Sequence, residues 1–334
     1  MRNLFVKILF RTIAVSLLAA FPLLEYSQPA PRQAANAFAQ KLPEMHGGDT
    51  TEKSIAVDKN VNISLCVTQG NLKVNGWNRT EVRVFIKNGT KFGFKVQEKN
   101  KQDIPVWIML NSFDSKKGKN SVPSECISGE EIEIDAPLNA KIDIKGQETK
   151  TTIDTVRKAS VKTIGGDINL RNVAEGITAT TYEGDVTVEQ SMGPMMLETT
   201  TGNILVFNAG PSQIGDIFKA KTNGGNVSLQ RLDYREVDVG SISGSVAYSG
   251  DILTSGTYNL NTSNGSIRML IPATSSCQVV ASYGFGNFNS EIPIKIETEL
   301  IFEGPAKRMV GKMGNGGATV RLTTNSGSIV IKKQ

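Results

Sequence analysis

Apolar residues alternate with polar ones through most of the second half of the chain. After a recurring glycine stand Ile168 and Leu170, Val186 and Val188, Ile204 and Val206, Val227 and Leu229, and Ile267 and Met269. Before it the same phase runs through Ile177-Ala179-Thr181, Phe218-Ala220-Thr222, Val237-Val239-Ser241 and Tyr258-Leu260-Thr262. A period of two with one aliphatic side predicts strands that bury one face. The turn between them reads Thr/Ser-x-x-Gly-Asp/Asn/Ser-Ile/Val. Its glycines are Gly166, Gly184, Gly202, Gly225, Gly244 and Gly265, spaced 18, 18, 23, 19 and 21 residues apart, with a last copy at Gly327. That period belongs to a solenoid, in which each coil is strand, tight turn, strand, connector. The glycines are expected to supply a positive φ, and the Asp, Asn or Ser beside each to bond the local backbone. The motif Thr or Ser falls in the inward phase, where its hydroxyl can satisfy turn carbonyls.

The expected fold is therefore all-β: a β-solenoid resembling a parallel β-helix, with an N-terminal β cap and a C-terminal closing hairpin. Residues 53–137 hold strands at Val61–Val67, Asn71–Val74, Glu81–Ile86 and Val106–Leu110 around a Lys/Ser/Gly loop, Ser112–Pro123. They read as the cap. Residues 138–296 read as solenoid repeats, with a degenerate copy at Gly70-Asn71-Leu72, and 297–334 as the C-terminal cap. Gly314-Asn315-Gly316-Gly317 before Ala318–Thr323 suggests the hairpin, with Lys332 and Lys333 blunting the edge.

The first 39 residues read as a signal peptide. Arg2, Lys7 and Arg11 precede a short apolar run, Thr12–Leu24, broken by Pro22. The run is shorter than the ~20 residues that a spanning helix needs; the alternative is an uncleaved signal anchor. Small-residue cleavage options are Ala35-Asn36-Ala37 and Ala37-Phe38-Ala39, and no Cys follows closely, unlike a lipoprotein. Residues 40–52 read as a linker that carries the single histidine, His46. The body is thus expected outside the cytoplasm: periplasm, envelope or medium.

Composition narrows the chemistry. A single histidine almost removes His-based triads and His-ligated zinc. The formal charge is +5, but Arg2, Lys7, Arg11 and Arg32 against Glu25 account for most of it. The remainder lacks the concentrated basic excess of a nucleic-acid binder. No P-loop, Gly-x-Ser-x-Gly elbow or Cys-x-x-Cys is present; Gly284-Phe285-Gly286 lacks the third glycine and the helix of a nucleotide loop. The tempting carboxylates are Asp167 and Asp185, at equivalent places in successive coils. Paired acids on a β-helix could cleave acidic polysaccharide or hold Ca²⁺. Yet Asn203, Asn226, Ser245, Ser266 and Ser328 fill the same slot, which favours a turn role. Glu131, Glu133 and Asp135 alternate with apolar residues and read as a solvated acidic strand face or a basic-partner patch. Lys116-Lys117-Gly118-Lys119 reads as a solvated loop, or a contact for an anionic surface. Trp77, Trp107 and the aromatic run Tyr283–Phe288 read as packing or capping, with sugar or membrane contact as the alternative. The row Lys162, Thr180, Glu198, Lys221, Gly240, Asn261 is too mixed for ice binding.

The serial Ser/Thr-x-x-Gly-Asp-Ile copies resemble the bacterial "putative adhesin" or toast-rack family, a domain of unknown function. Gly70-Asn71-Leu72-Lys73-Val74-Asn75-Gly76-Trp77 and Gly316-Gly317-Ala318…Ser326-Gly327-Ser328-Ile329 carry the likeness further, over roughly residues 60–334. The resemblance implies a β-solenoid on an envelope or secreted protein, sometimes tied to envelope-stress sensing, with no catalytic residues to transfer. This chain departs from the pattern by the charged loop near Lys116–Lys119 and by a stretch from Ser266 to Thr324 without a clean repeat.

The function expected is a non-enzymatic structural or adhesin-like interaction module, with no cofactor and no metal. Its partner would be an envelope polymer or protein, not nucleic acid. The alternatives are a carbohydrate-active β-helix enzyme, and a stress sensor binding cationic peptide or lipid. The enzyme would need Asp167, Asp185 and Glu198 on one concave face with Lys or Arg. Of the three cysteines, Cys66 and Cys126 are candidates for a disulfide, leaving Cys277 free; the alternative is three separate buried thiols.

Overall fold

The structure is a computed structural model, and it describes residues 49–97, 107–112, 126–302 and 304–334. The expected signal peptide, most of the linker with His46, and the Lys116–Lys119 loop lie outside the described residues. The N-terminal strands are β1 (Thr50–Ala56), β2 (Asn62–Trp77), β3 (Glu81–Lys87), β4 (Phe92–Gln97), β5 (Trp107–Ser112), β6 (Cys126–Pro137) and β7 (Lys141–Asp154). Six two-strand coils follow: β8 (Lys158–Gly165) with β9 (Ile168–Arg171), β10 (Ile177–Glu183) with β11 (Val186–Met192), and β12 (Met195–Thr201) with β13 (Ile204–Gly210). The next three are β14 (Ile217–Gly224) with β15 (Val227–Leu232), β16 (Glu236–Ser241) with β17 (Val246–Ser249), and β18 (Thr257–Asn264) with β19 (Ile267–Ile271). The C-terminal part adds β20 (Cys277–Phe285), β21 (Phe288–Ser290), β22 (Lys295–Ile301), β23 (Lys307–Met313), β24 (Ala318–Ser326) and β25 (Ile329–Lys333).

Each coil gives one strand to each of two parallel faces. On the first, Ile142, Ala159, Ile177, Met195, Phe218, Val237 and Tyr258 are successive register partners. On the second, Ile168, Val186, Ile204, Val227, Val246 and Ile267 follow one another. All of these are buried, so the period-two alternation is the core. Each fully buried aliphatic side chain contributes about 1.5–3 kcal/mol against the cost of ordering the chain. Where the coils lengthen, Phe218, Tyr234, Tyr248 and Tyr258 fill the added width. The buried phenols keep partners: Tyr234 donates to Gly193 O (2.6 Å) and Tyr258 to Tyr234 O (3.0 Å).

The stack does not follow chain order at either end. β2 lies between β6 and β7, parallel to both, and runs unbroken through Gly70 where two strands were expected. Cys66 and Cys126 are register partners in β2 and β6 and are bonded, with Cα atoms 4.3 Å apart. The antiparallel β3 and β1 close the edge beyond β6, and β4 closes the edge beyond β5. At the other end β24 and β25 lie between coil β18–β19 and coil β20–β21, parallel to both. The antiparallel β23 and β22 then close the stack. A closing hairpin exists, but it is β22–β23. The turn at Gly314–Gly317, where the sequence suggested it, instead carries the chain across β20 and back into the stack. A glycine-rich segment before an alternating strand looks the same in both cases, because register is a property of the pairing partner.

Candidate functional site

The repeat residues with chemical potential converge on one corner of the coil. The glycines form a column in which a Cβ on each would clash with the carbonyl of the coil beneath. Gly184 faces the Gly166 carbonyl, Gly202 that of Gly184, Gly225 that of Gly202, Gly244 that of Gly225, and Gly265 that of Gly244. Gly327 then faces Gly265, and Gly286 faces Gly327. A positive φ was expected throughout, and Gly166 and Gly184 have it (101° and 138°). Gly225, Gly244 and Gly265 do not. The shared requirement is the close approach of backbones, not the turn conformation. Gly286 belongs to the column because Tyr283-Gly284-Phe285-Gly286-Asn287-Phe288 is an aromatic version of the motif. It fills part of the stretch from Ser266 to Thr324 that carries no clean Thr/Ser copy; Tyr283 stacks on Phe288 with ring centroids 6.3 Å apart.

Two hydrogen-bond ladders run beside the glycines. Motif hydroxyls donate to the glycine carbonyl one coil below: Thr199 to Gly184 O (3.0 Å), Thr222 to Gly202 O (2.9 Å), Ser241 to Gly225 O (2.8 Å) and Thr262 to Gly244 O (2.7 Å). The residue after each glycine accepts from the backbone N–H of its equivalent in the next coil. Asp167 Oδ1 accepts from Asp185 N (3.1 Å), Asp185 Oδ1 from Asn203 N (2.7 Å), and Asn203 Oδ1 from Asn226 N (2.9 Å). Ser245 N and Ser266 N continue the ladder (2.9 and 3.2 Å). The expected local turn bond is thus an inter-coil bond, and a carboxylate, amide or hydroxyl oxygen serves equally. Asp185→Asn should therefore shift stability by no more than about 0.5 kcal/mol. Asp185→Ala, which strands the Asn203 N–H, should cost about 1–2 kcal/mol in denaturant melts. Equal costs for the two variants would refute the ladder role.

The other candidates are dispersed. Glu198 pairs in register with Thr180 and Lys221 on the first face, in a different column from Asp167 and Asp185. The acidic face of β6 is solvated at Glu131 and closed off at Asp135. Asp135 is buried, with Arg83 Nε 2.7 Å away and Asn75 Nδ2 donating at 3.3 Å, and Glu131 pairs with Lys87 at 3.5 Å. Antiparallel β3 sets these bases directly opposite the acids. Trp77 is half-buried, its Nε1 donates to Glu81 O (2.8 Å), and Arg79 lies over the ring at 4.7 Å. Trp107 lies in β5. Burial pushes the Cys277 thiol up to about 11, beside Met313 Sδ at 3.9 Å, as for a structural thiol rather than a nucleophile. An open polar cleft of about 630 Å³ at the N-terminal end is lined by Gln69, Asn88, Ser128, Glu130, Glu148 and Lys150; Asn88 is bonded to Glu130 (2.6 Å). Among the described residues, no three His, Cys, Asp or Glu side chains are placed to hold a metal ion, and no helix is long and apolar enough to cross a membrane.

Two carboxylates are tuned for structure. Burial disfavours the Asp154 charge, but hydrogen bonds from Arg171, Asn172 and Thr155 outweigh it and hold its pKa below the ordinary value. Asp216 behaves likewise: burial opposes its charge, and bonds from Ser212 and Gln213 lower its pKa. A depressed folded pKa stabilises above the unfolded value near pH 3.9 and is lost as pH falls through the folded one. Tm should therefore drop below about pH 4, and less steeply in Asp216→Asn; a Tm flat through that range would contradict the assignment.

Among solved structures the chain is similar to a "putative cell adhesion protein" from Clostridium sporogenes, at 14% identity and TM-score 0.25, covering 86% of this chain and 100% of that one. It is also similar to a "putative adhesin" from Bacteroides fragilis (14%, TM-score 0.36, covering 85% and 97%). A "putative lipid binding protein" from Parabacteroides distasonis matches at 14% and TM-score 0.31, covering 85% and 97%. Among curated proteins none shows significant similarity. The family model for Toastrack DUF4097 matches residues 52–332, spanning the stack from β1 to β25, and the chain belongs to that family.

Proposed function

We propose that this protein is a non-catalytic interaction module of the bacterial envelope, a rigid β-solenoid that presents its outward faces to an envelope polymer or protein. The observation that carries this reading is the use made of the repeat's polar residues. The motif Thr, Ser, Asp and Asn side chains bond the neighbouring coil, and Glu198 lies in a different column from the stacked Asp167 and Asp185. A stack built this way offers long, regular surfaces suited to extended partners. Export is part of the proposal. It is supported by the charged and apolar segments at Met1–Leu24 and by the Cys66–Cys126 bridge, which an oxidising compartment preserves.

The test is binding of the purified mature chain to peptidoglycan, teichoic acid and lipid vesicles, with the polymers analysed afterwards. Saturable binding that leaves the polymer intact is the expected result. Release of shortened saccharide, abolished by Asp185→Asn at unchanged Tm, would establish the carbohydrate-active alternative instead. Cell fractionation that finds the full-length chain in the cytosol would remove the export part.

A further inference from the structure

The two ends of the stack are built on the same plan but secured differently. At each end the chain leaves a gap of one coil and another segment fills it. At the N-terminal end the interleaved strands β2 and β6 are joined covalently at Cys66–Cys126. At the C-terminal end the chain passes from Ile271 to Cys277 and omits one place in the stack. Residues 318–333 fill it last, paired on one side with coil 257–271 and on the other with coil 277–290. Val320, Leu322, Ile329 and Ile331 complete the core columns there. The glycine carbonyl of Gly265 receives the Thr324 hydroxyl (2.8 Å), as in the coils below. No covalent bond holds this coil except the chain itself.

Its tether is a short turn, Gly314-Asn315-Gly316-Gly317. Gly314–Gly317 crosses the start of β20, since Cys277 pairs with Met313 on one side and Ala318 on the other. Gly314 and Gly316 have φ of 51° and 77°. The crossing is pinned by Ser276, whose hydroxyl accepts from Asn315 N (2.9 Å) and Gly317 N (3.3 Å).

We propose that residues 318–334 are an exchangeable coil, and that the slot between coils 257–271 and 277–290 accepts the same segment from a second copy of this chain. The occupant is fixed by what the slot already fits: strand register, glycine column and hydroxyl ladder are all met by this segment. Exchange of an identical element across a short hinge reproduces every contact in the partner, so the swapped and closed forms differ only at the hinge. The proposal is independent of what the outward faces bind.

Asn261 and Thr323 are exposed and, like Cys66 and Cys126, are register partners of parallel strands. Full-length Asn261→Cys and full-length Thr323→Cys are mixed at high concentration and oxidised. The expected product runs at twice the chain mass and requires both variants. Mass spectrometry should show the peptide that carries position 261 of one chain linked to the peptide that carries position 323 of the other; the double variant alone closes within one chain. Mixed single variants that stay monomeric while the double variant closes would overturn the proposal. Deleting Asn315, Gly316 and Gly317 leaves one residue between Met313 and Ala318, whose reach of about 7.6 Å falls short of the roughly 9.6 Å of two strand spacings, and decides the matter if the engineered pair does not oxidise. Dimers or higher multiples by light scattering are expected, and a monomer, at whatever Tm, overturns it.

Discussion

Gly184→Val is expected to destabilise the protein by about 3–5 kcal/mol, at or beyond the top of the usual range for one substitution. The backbone at Gly184 has φ 138°, which alone costs a branched residue about 1–3 kcal/mol. A Cβ there would lie 2.7 Å from the Gly166 carbonyl carbon and closer still to its oxygen. Backbone cannot step aside as a side-chain tip can, so the two coils must part locally. The Thr199 bond to Gly184 O and the ladder bond from Asp185 N then weaken, at about 1 kcal/mol each. Gly215→Ala is the control, because Gly215 also has a positive φ (94°) but open space around its Cβ position. It should cost only the conformational part. Similar losses for both variants would mean that φ, not stacking, sets the requirement.

Reduction of Cys66–Cys126 should remove roughly 4 kcal/mol, the loop-entropy value for cysteines 60 residues apart. The loss should be local. In a stack each coil touches only its neighbours, so opening the N-terminal end does not unravel the middle. Hydrogen exchange after reduction should rise across β2, β3 and β6 and stay unchanged across β14–β19. An equal rise everywhere would show that the stack melts as one unit, and no change would show that the bridge contributes little.

The coil was legible in the sequence because three of its requirements leave marks in residue type. Inward positions are aliphatic, the close-approach position is glycine, and the donor to the coil beneath is Thr or Ser. The second corner left no such mark. Asn172, Gln190, Asn208 and Arg231 all adopt φ between 47° and 56° there, yet they share no chemistry beyond tolerance of solvent. Only Asn172 and Asn208 are residues that the left-handed region favours. The Gly286 copy was hidden because Tyr283 and Phe288 replace Thr and Ile in the outermost parallel coil, where rings cover the core end. In the acidic strip Glu131–Asp135, Glu131 is solvated as its alternation implies, but the burial of Asp135 left no mark in the sequence. Alternation says which way a side chain points, but not that β3 pairs beside β6 with Arg83 in register with Asp135.

Periodicity along the chain therefore determined what one coil is: its two strands, its buried columns and its glycine corner. The order of coils was decided only by the tertiary structure. Each coil presents the same backbone N–H and C=O groups on its two edges, and the motif repeats the same glycine and hydroxyl. Any coil can thus in principle stack on any other. Chain order suffices in the middle, where connectors are short. At the ends the longer excursions let β2 slip between β6 and β7, and β24–β25 between coils β18–β19 and β20–β21. Those placements follow from which free edge the returning strand can reach, a condition that no local residue pattern records.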